Sequence, residues 1–274
     1  MSHAGQPHSY LFVPASTPDR IPKALATHAH RVIVDLEDGV GFPDKESARN
    51  GLTQLGLEQP VVVRINALGT PYFEADVEAT RDLPWVDAIM LPKVESALHV
   101  ERLRSLIPAR IAILALVESA LGIVRLDEIA AARPGRLIFG SADYLADIGA
   151  PFSPEVLSYP RTRLVIASRA FSLPTPVDGP AIVMKDVEAI RADSGDARAL
   201  GMGAKLCIHP AQVDVVNKVF GISDEQRRWA TAVLAEAAKH SGAFSFEGDM
   251  IDEPILKRAR LILTTRDDER SIVQ

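Results

Sequence analysis

One feature of this chain narrows its fold more than any other: a short, apolar, β-branched run recurs, each time followed by a stretch with helical periodicity. The runs cover residues 10–13, 31–36, 61–65, 88–91, 111–117, 136–139, 176–178 and 204–208, the seventh being the weakest. Several are continuously apolar rather than alternating, as expected of parallel strands buried on both faces. Helical periodicity fills residues 44–56, 95–106, 186–200 and 210–220. Alternating strand and helix implies parallel strands joined by right-handed crossovers. Eight such units favour closure into an α/β (β/α)8 barrel over an open doubly wound sheet, and 274 residues suit one barrel. Hydrophobic residues make up 47% of the chain and aromatics only 5%, so the core must be built from Ala, Val, Ile and Leu.

Beyond the eighth run the sequence continues with a helical stretch at 223–240, a Gly/Phe-rich link at 241–248 and a last helix to about residue 264. The expected organisation is a barrel over residues 1–222. Residues 223–274 then form C-terminal helices with a lid segment, not an independent domain. A formal net charge of -6 argues against nucleic acid as a partner, because neutralising phosphates needs a basic face. The single cysteine, Cys207, rules out an internal disulfide and reads as a small core hydrophobe. The first residues lack a basic and an apolar leader region, and no stretch approaches the roughly 20 apolar residues that span a bilayer. A cytoplasmic protein with no membrane partner is expected.

In such a barrel the chemistry belongs at the C-terminal ends of the strands. The second run ends Asp35-Leu36-Glu37-Asp38-Gly39-Val40, three carboxylates that raise one another's pKa unless a cation compensates. The third ends Val63-Arg64-Ile65-Asn66. A buried Arg needs an anion, either a substrate carboxylate or thioester oxyanion or a strand-2 acid. The fourth ends Leu91-Pro92-Lys93, where an ion pair is the first reading and a phosphate contact or a base the others. The fifth ends in Glu118, and the sixth reaches Asp143 just after Gly140. These two carboxylates, on neighbouring strands, are the candidate ligands of one ion, and an oxygen-only set suits Mg²⁺ better than Zn²⁺. His28, His30 and His209 show no metal spacing. After the first run, Ser16 and Thr17 precede a helix start carrying Arg20 and Lys23, a candidate phosphate-binding turn or ordinary capping with exposed basic residues. No P-loop or dinucleotide-type glycine loop follows any run.

Taken in order, Leu11-Phe12-Val13-Pro14, the 35–40 segment, Lys45 with Ala48-Arg49, the 63–66 segment, Met90-Leu91-Pro92-Lys93, Val117-Glu118-Ser119-Ala120, Gly140 with Asp143, Cys207-Ile208-His209-Pro210 and Met250-Ile251-Asp252-Glu253-Pro254 form an ordered set over nearly the whole chain. This set resembles the citrate lyase β-subunit-like branch of the HpcH/HpaI aldolase superfamily, which also holds malyl-CoA and citramalyl-CoA lyases. The resemblance implies a barrel of the phosphoenolpyruvate/pyruvate type with a C-terminal helical extension. It implies Glu118 and Asp143 as Mg²⁺ ligands, Glu118 also facing substrate, and Arg64 as the residue that binds the acyl group. It implies Asp38 as an acid near the metal, and Asp252 as an acid reaching a neighbouring subunit's site in a homotrimer. The implied activity is reversible cleavage of a 3-hydroxyacyl-CoA thioester, with thioester hydrolysis as a companion. Alternatives are an aldolase for free 2-oxo acids without CoA, an acyl-CoA thioesterase and a non-catalytic assembly subunit. Two segments depart from the pattern. Residues 144–160 are shorter than in the longer malyl-CoA lyases, which leaves the acyl group open, and Gly201-Met202-Gly203-Ala204-Lys205 does not carry over a CoA contact by Lys205.

Overall fold

A computed structural model of the chain describes residues 6–264. The strands are β1 (Ser9–Pro14), β2 (Arg31–Asp35), β3 (Val61–Arg64), β4 (Val86–Leu91), β5 (Ala112–Val117), β6 (Arg136–Phe139), β7 (Val177–Asp178) and β8 (Ala204–Cys207). They pair in sequence order, all parallel, and β8 closes on β1. The helices between them are α1 (Ile21–Leu25), α2 (Lys45–Thr53), α3 (Phe73–Thr80), α4 (Ala97–Arg104), α5 (Ala120–Val124), α6 (Leu126–Ala131), α7 (Ser141–Ile148), α8 (Pro154–Ala170), α9 (Val187–Ala199) and α10 (Pro210–Phe220). The expected (β/α)8 barrel is the observed one. Helices α3 and α5 to α8 were not among the expected stretches. Part of the opening segment, residues 1–5, read above as lacking a leader, lies outside the described residues, as do residues 265–274. Among the described residues no helix is long and apolar enough to cross a membrane.

Side chains on a strand alternate between its faces. Tyr10, Ile33, Val62, Ala88, Met90, Leu114, Leu116, Ile138, Val177, Ala204 and Leu206 pack together as the barrel interior. The alternate positions, among them Val32, Val34, Val61, Val63, Ile89, Ile113 and Val117, are just as buried on the outer face, which the helices cover. At about 1.5–3 kcal/mol per fully buried aliphatic side chain, this two-sided burial is the main stabilising term. Carried one step further, the interior positions of β2, β3 and β5 become Asp35, Arg64 and Glu118. The alternation that builds the core thus delivers charge to its upper end.

The weak seventh run is a strand of two residues, held to β6 by one register pair, Val177 with Ile138. Prolines at 174, 176 and 180 remove backbone donors around it. A buried ion network compensates. Arg161 of α8 donates from Nε and Nη2 to both oxygens of Asp178 (2.9 Å each) and reaches Asp193 of α9 at 2.8 Å. Lys205 of β8, fully buried, pairs with Asp178 and with Asp193 (2.8 Å). Burial works against Asp193's charge, but Lys205 and Arg161 outweigh it and hold its carboxyl below the usual value. Lys205 is therefore spent inside the wall.

The described residues divide into two compact units, residues 8–219 and a second, C-terminal unit made of residues 220–264 with residues 6 and 7. Within the latter, α11 (Asp224–Ala237) starts at a capping box between Ser223 and Gln226. A hairpin of β9 (Phe244–Phe246) and β10 (Asp249–Ile251) replaces the expected link, with Glu247 and Gly248 at its turn both at positive φ. This hairpin and α12 (Glu253–Thr264) share an apolar cluster with α11 that includes Val233, Phe244, Ile251 and Ile262.

Removing one charge from the β7 network should expose its cost. Asp178→Ala leaves two buried cations short of a partner and should destabilise the protein by about 3–5 kcal/mol, read by urea denaturation; a change below 1 kcal/mol would mean the network does not hold β7.

Candidate active site

The upper end of the barrel opens into a cavity of about 390 Å³, lined among others by Phe12, Asp35, Asp38, Arg64, Glu118, Gly140, Asp143 and Ile208. Asp35 and Arg64 are register partners on β2 and β3. Arg64 donates from Nε to Asp35 Oδ1 (2.7 Å) and from Nη2 to Oδ2 (2.6 Å), a bidentate fork, with its guanidinium 4.8 Å above the Phe12 ring. The same carboxylate accepts the amides of Glu37 and Gly39, both at 2.8 Å, and so folds the loop after β2. Gly39 is required there, since a Cβ would meet Asp35 Oδ2 at 2.5 Å.

That fold turns Glu37 inward and leaves Asp38 on the rim. Glu37 Oε2 lies 2.9 Å from Arg64 Nη1, whereas Asp38, with a side chain 62% exposed, lies 3.6 Å away. Buried Lys45 locks the loop by donating to the carbonyls of Leu36 (2.9 Å) and Glu37 (2.8 Å). Asn66 also donates to Leu36, and is itself held by buried Asp76. Sequence reasoning chose Asp38 from this cluster and passed over Asp35, Glu37 and Lys45. The signal for Asp35 and Glu37 was the period of two, which puts them in phase with inward-facing Ile33.

Glu118 follows β5 directly, Asp143 lies in the first turn of α7 just beyond β6, and both line the same cavity. Glu118 is buried and accepts the Lys93 amide on Oε1 at 2.8 Å. Its other oxygen lies against Gly140, where a Cβ would sit 2.5 Å from Oε2. The Lys93 ammonium is 3.3 Å from Asp143 Oδ2 and 3.5 Å from Glu37 Oε1, the ion pair read first for it.

Burial pushes the Glu118 carboxyl up to about 8, with Glu37 and Asp143 adding to the rise. Burial also lifts Glu37 to about 7; Arg64 opposes this and Asp38 reinforces it. For Arg64, burial disfavours the charge, but the bonds to Asp35 and the fields of Glu37 and Asp38 more than restore it. The cavity is acid-rich and short of positive charge. Among the described residues, no three His, Cys, Asp or Glu side chains converge as a ready-made metal cluster. Arg20 and Lys23 lie exposed at the start of α1 and do not line the cavity, Lys23 pairing with Asp19 at 3.4 Å. Asp252 belongs to the C-terminal unit, half-buried at the start of α12, where it accepts the Ile255 amide at 3.3 Å.

A sequence profile described as HpcH/HpaI aldolase/citrate lyase matches residues 8–210, which is nearly the whole barrel unit. The chain belongs to this family. A citrate lyase subunit beta-like protein of Mycobacterium tuberculosis is 39% identical over 263 residues, covering 93% of each chain. A (3S)-malyl-CoA thioesterase of Cereibacter sphaeroides is 32% identical over 277 residues, covering 96% of each. Among solved structures, the family member CitE from Mycobacterium tuberculosis, in complex with magnesium, acetoacetate and coenzyme A, aligns with a TM-score of 0.84 at 39% identity, over 95% of this chain and 98% of that one.

The raised carboxyls predict a pH dependence. Folded Glu118 holds its proton up to about pH 8, but in the unfolded chain it releases it near 4.5. Between those values the folded state binds more protons at this group, so its contribution to stability is full below pH 4.5 and is lost as pH rises toward 8. In chelator-treated protein, this group should cost up to about 1.4 kcal/mol per pH unit across the window. Glu118→Gln should flatten the decline in melting temperature between pH 5 and 8; an unaltered slope would contradict the burial of this charge.

Proposed function

We propose that the protein is a Mg²⁺-dependent carbon–carbon lyase acting on a 3-hydroxyacyl-CoA thioester of the malyl, citramalyl or citryl type, by reversible Claisen-type cleavage. The observation that carries this reading is the meeting of Glu118 and Asp143, from adjacent strand ends, with the Arg64 guanidinium in one cavity. The magnesium and coenzyme A in the CitE structure support it.

The residues fit the ion. Two carboxylates with room for water and substrate oxygens are what Mg²⁺ takes. The mutual repulsion of Glu118, Glu37 and Asp143 is the charge deficit that a divalent cation relieves. In this reading Glu118 and Asp143 hold the metal. When bound, it supplies Lewis acidity toward the hydroxyl and carboxylate oxygens of the substrate. Arg64 has its Nε–Nη2 edge committed to Asp35 and Nη1 beside Glu37, and it offers the second N–H of Nη1 to the thioester oxygen, where negative charge builds as the C–C bond breaks. Glu118 also borders the substrate, and Asp38 stands at the rim as the polar group that incoming substrate meets.

Asp252 is our candidate for the acid that protonates the carbon left behind, acting in the site of a neighbouring copy of a homotrimer. In condensation it removes the same proton. Arg20 and Lys23, exposed after β1, are our candidates for the CoA phosphates. Thioester hydrolysis is the second reading, favoured by the likeness to a malyl-CoA thioesterase. An aldolase for free 2-oxo acids is separated from both by whether CoA or acetyl-CoA raises the melting temperature.

A panel of 3-hydroxyacyl-CoA esters, assayed with and without Mg²⁺ and with products resolved by mass, should yield a shortened acyl-CoA and a 2-oxo acid. Free CoA with the intact acid would show hydrolysis instead. Asp252→Asn should retain Mg²⁺ and substrate binding but slow α-proton exchange of acetyl-CoA by about 10²-fold or more; unchanged exchange removes Asp252 from the chemistry.

A further inference from the structure

Lys93 follows β4 with φ at 53°, the left-handed region that a side chain other than glycine occupies only at a cost of order 1–3 kcal/mol. This conformation does two things. It aims the Lys93 amide at Glu118 Oε1 (2.8 Å), and it carries the side chain to two further acids, with Nζ 3.3 Å from Asp143 Oδ2 and 3.5 Å from Glu37 Oε1. The ammonium thus stands among acids from the ends of β2 and β6, above the β5 acid that its own amide holds. It is not locked there, because the Lys93 side chain is 48% exposed and its four-carbon stem is free to swing outward.

We infer that the Lys93 ammonium is a built-in competitor for the metal, which pairs with Asp143 and Glu37 when no divalent ion is bound and must give way when one enters between Glu118 and Asp143. The inference rests on the metal reading above. Its logic is one of competition. Lys93 Nζ pairs with Asp143 and with Glu37, acids that follow two different strands, so it occupies one of the carboxylates that the metal would use. A point charge on a flexible stem does this without closing the cavity. The same charge opposes a second cation at the same carboxylates, so the metal binds more weakly than the acids alone would allow. The amide of the same residue keeps Glu118 in place in either state. Lys93 is in this sense a positioning residue through its backbone and a regulator of metal affinity through its side chain.

The test measures Mg²⁺ affinity directly, by calorimetry on chelator-treated protein, with the melting temperature of the metal-free form alongside. Lys93→Gln removes the charge and keeps the stem. Lys93→Gly also removes the charge but relieves the positive φ, so any folding penalty of the first variant is separated from the effect of charge. Both should bind Mg²⁺ about tenfold more tightly than wild type, as expected for removing one competing charge at this distance from a partly exposed carboxylate. The gain should shrink in high salt. Lys93→Arg, which keeps a cation, should stay near wild-type affinity. Affinity unchanged or weakened in both neutral variants would overturn the inference, and a purely structural role would lower the melting temperature without moving the affinity. Glu118→Gln and Asp143→Asn serve as controls on the underlying reading. If they bind Mg²⁺ as wild type does, the metal assignment falls and this inference with it. If they lose binding while Lys93→Gln gains none, the role of Lys93 alone falls.

Discussion

The arrangement at the top of this barrel depends on the fork between Asp35 and Arg64. The two residues are register partners on adjacent parallel strands, so the closure that builds the core also brings them together. Each oxygen of the carboxylate takes one guanidinium bond and one loop amide. A single buried acid therefore fixes the orientation of the cavity's guanidinium and the path of the chain that delivers Glu37. Lys45 and Asn66 complete the lock from behind through the carbonyls of Leu36 and Glu37. With four bonds accepted by the Asp35 carboxylate, the pair holds charge in a poorly solvated place where an isolated ion would not persist.

The charge so gathered is unbalanced. Asp35, Glu37, Asp38, Glu118 and Asp143 outnumber Arg64 and Lys93 around the cavity. Burial opposes the charge on two of these acids, lifting Glu37 to about 7 and Glu118 to about 8, and a divalent cation is what would return both to their ionised forms. A site of this kind is costly to the folded state, and the cost is met elsewhere. The interior layers and the outer apolar faces of the strands supply the stability, while the buried Arg161–Asp178–Lys205–Asp193 network secures the one strand whose prolines deny it a full ladder. Charge is thus used twice in this barrel, neutral and closed behind β7, unbalanced and open at the mouth. Only the second arrangement has reason to bind anything.

Family membership and geometry also limit one another usefully. The match over residues 8–210 covers the barrel and the strand-end residues, and it is there that the site's charges are held by named bonds. The C-terminal unit, with its capping box, hairpin and own apolar cluster, carries Asp252 on a separate scaffold. The position of Asp252 is set by that scaffold, not by the strand pairing that fixes Arg64.

The sequence alone determined the barrel. Eight apolar runs, several of them separated by helical stretches, leave few other ways to bury both faces of every strand, and this signal is local and repeated, so that even the two-residue β7 was visible. It also placed Arg64, Glu118 and Asp143 at strand ends, because a charge closing an apolar run must lie where the core meets solvent. The short helices α5 to α7 were less legible, since one or two turns carry too little periodicity to read. Only the tertiary structure decided which charges meet. The choice of Asp35 as the partner of Arg64, the inward turn of Glu37 over Asp38, the loss of Lys205 to a buried network and the left-handed Lys93 all depend on register and side-chain direction between strands that are distant in sequence. Such pairings are settled by distances of a few ångströms in three dimensions, which composition and periodicity do not contain.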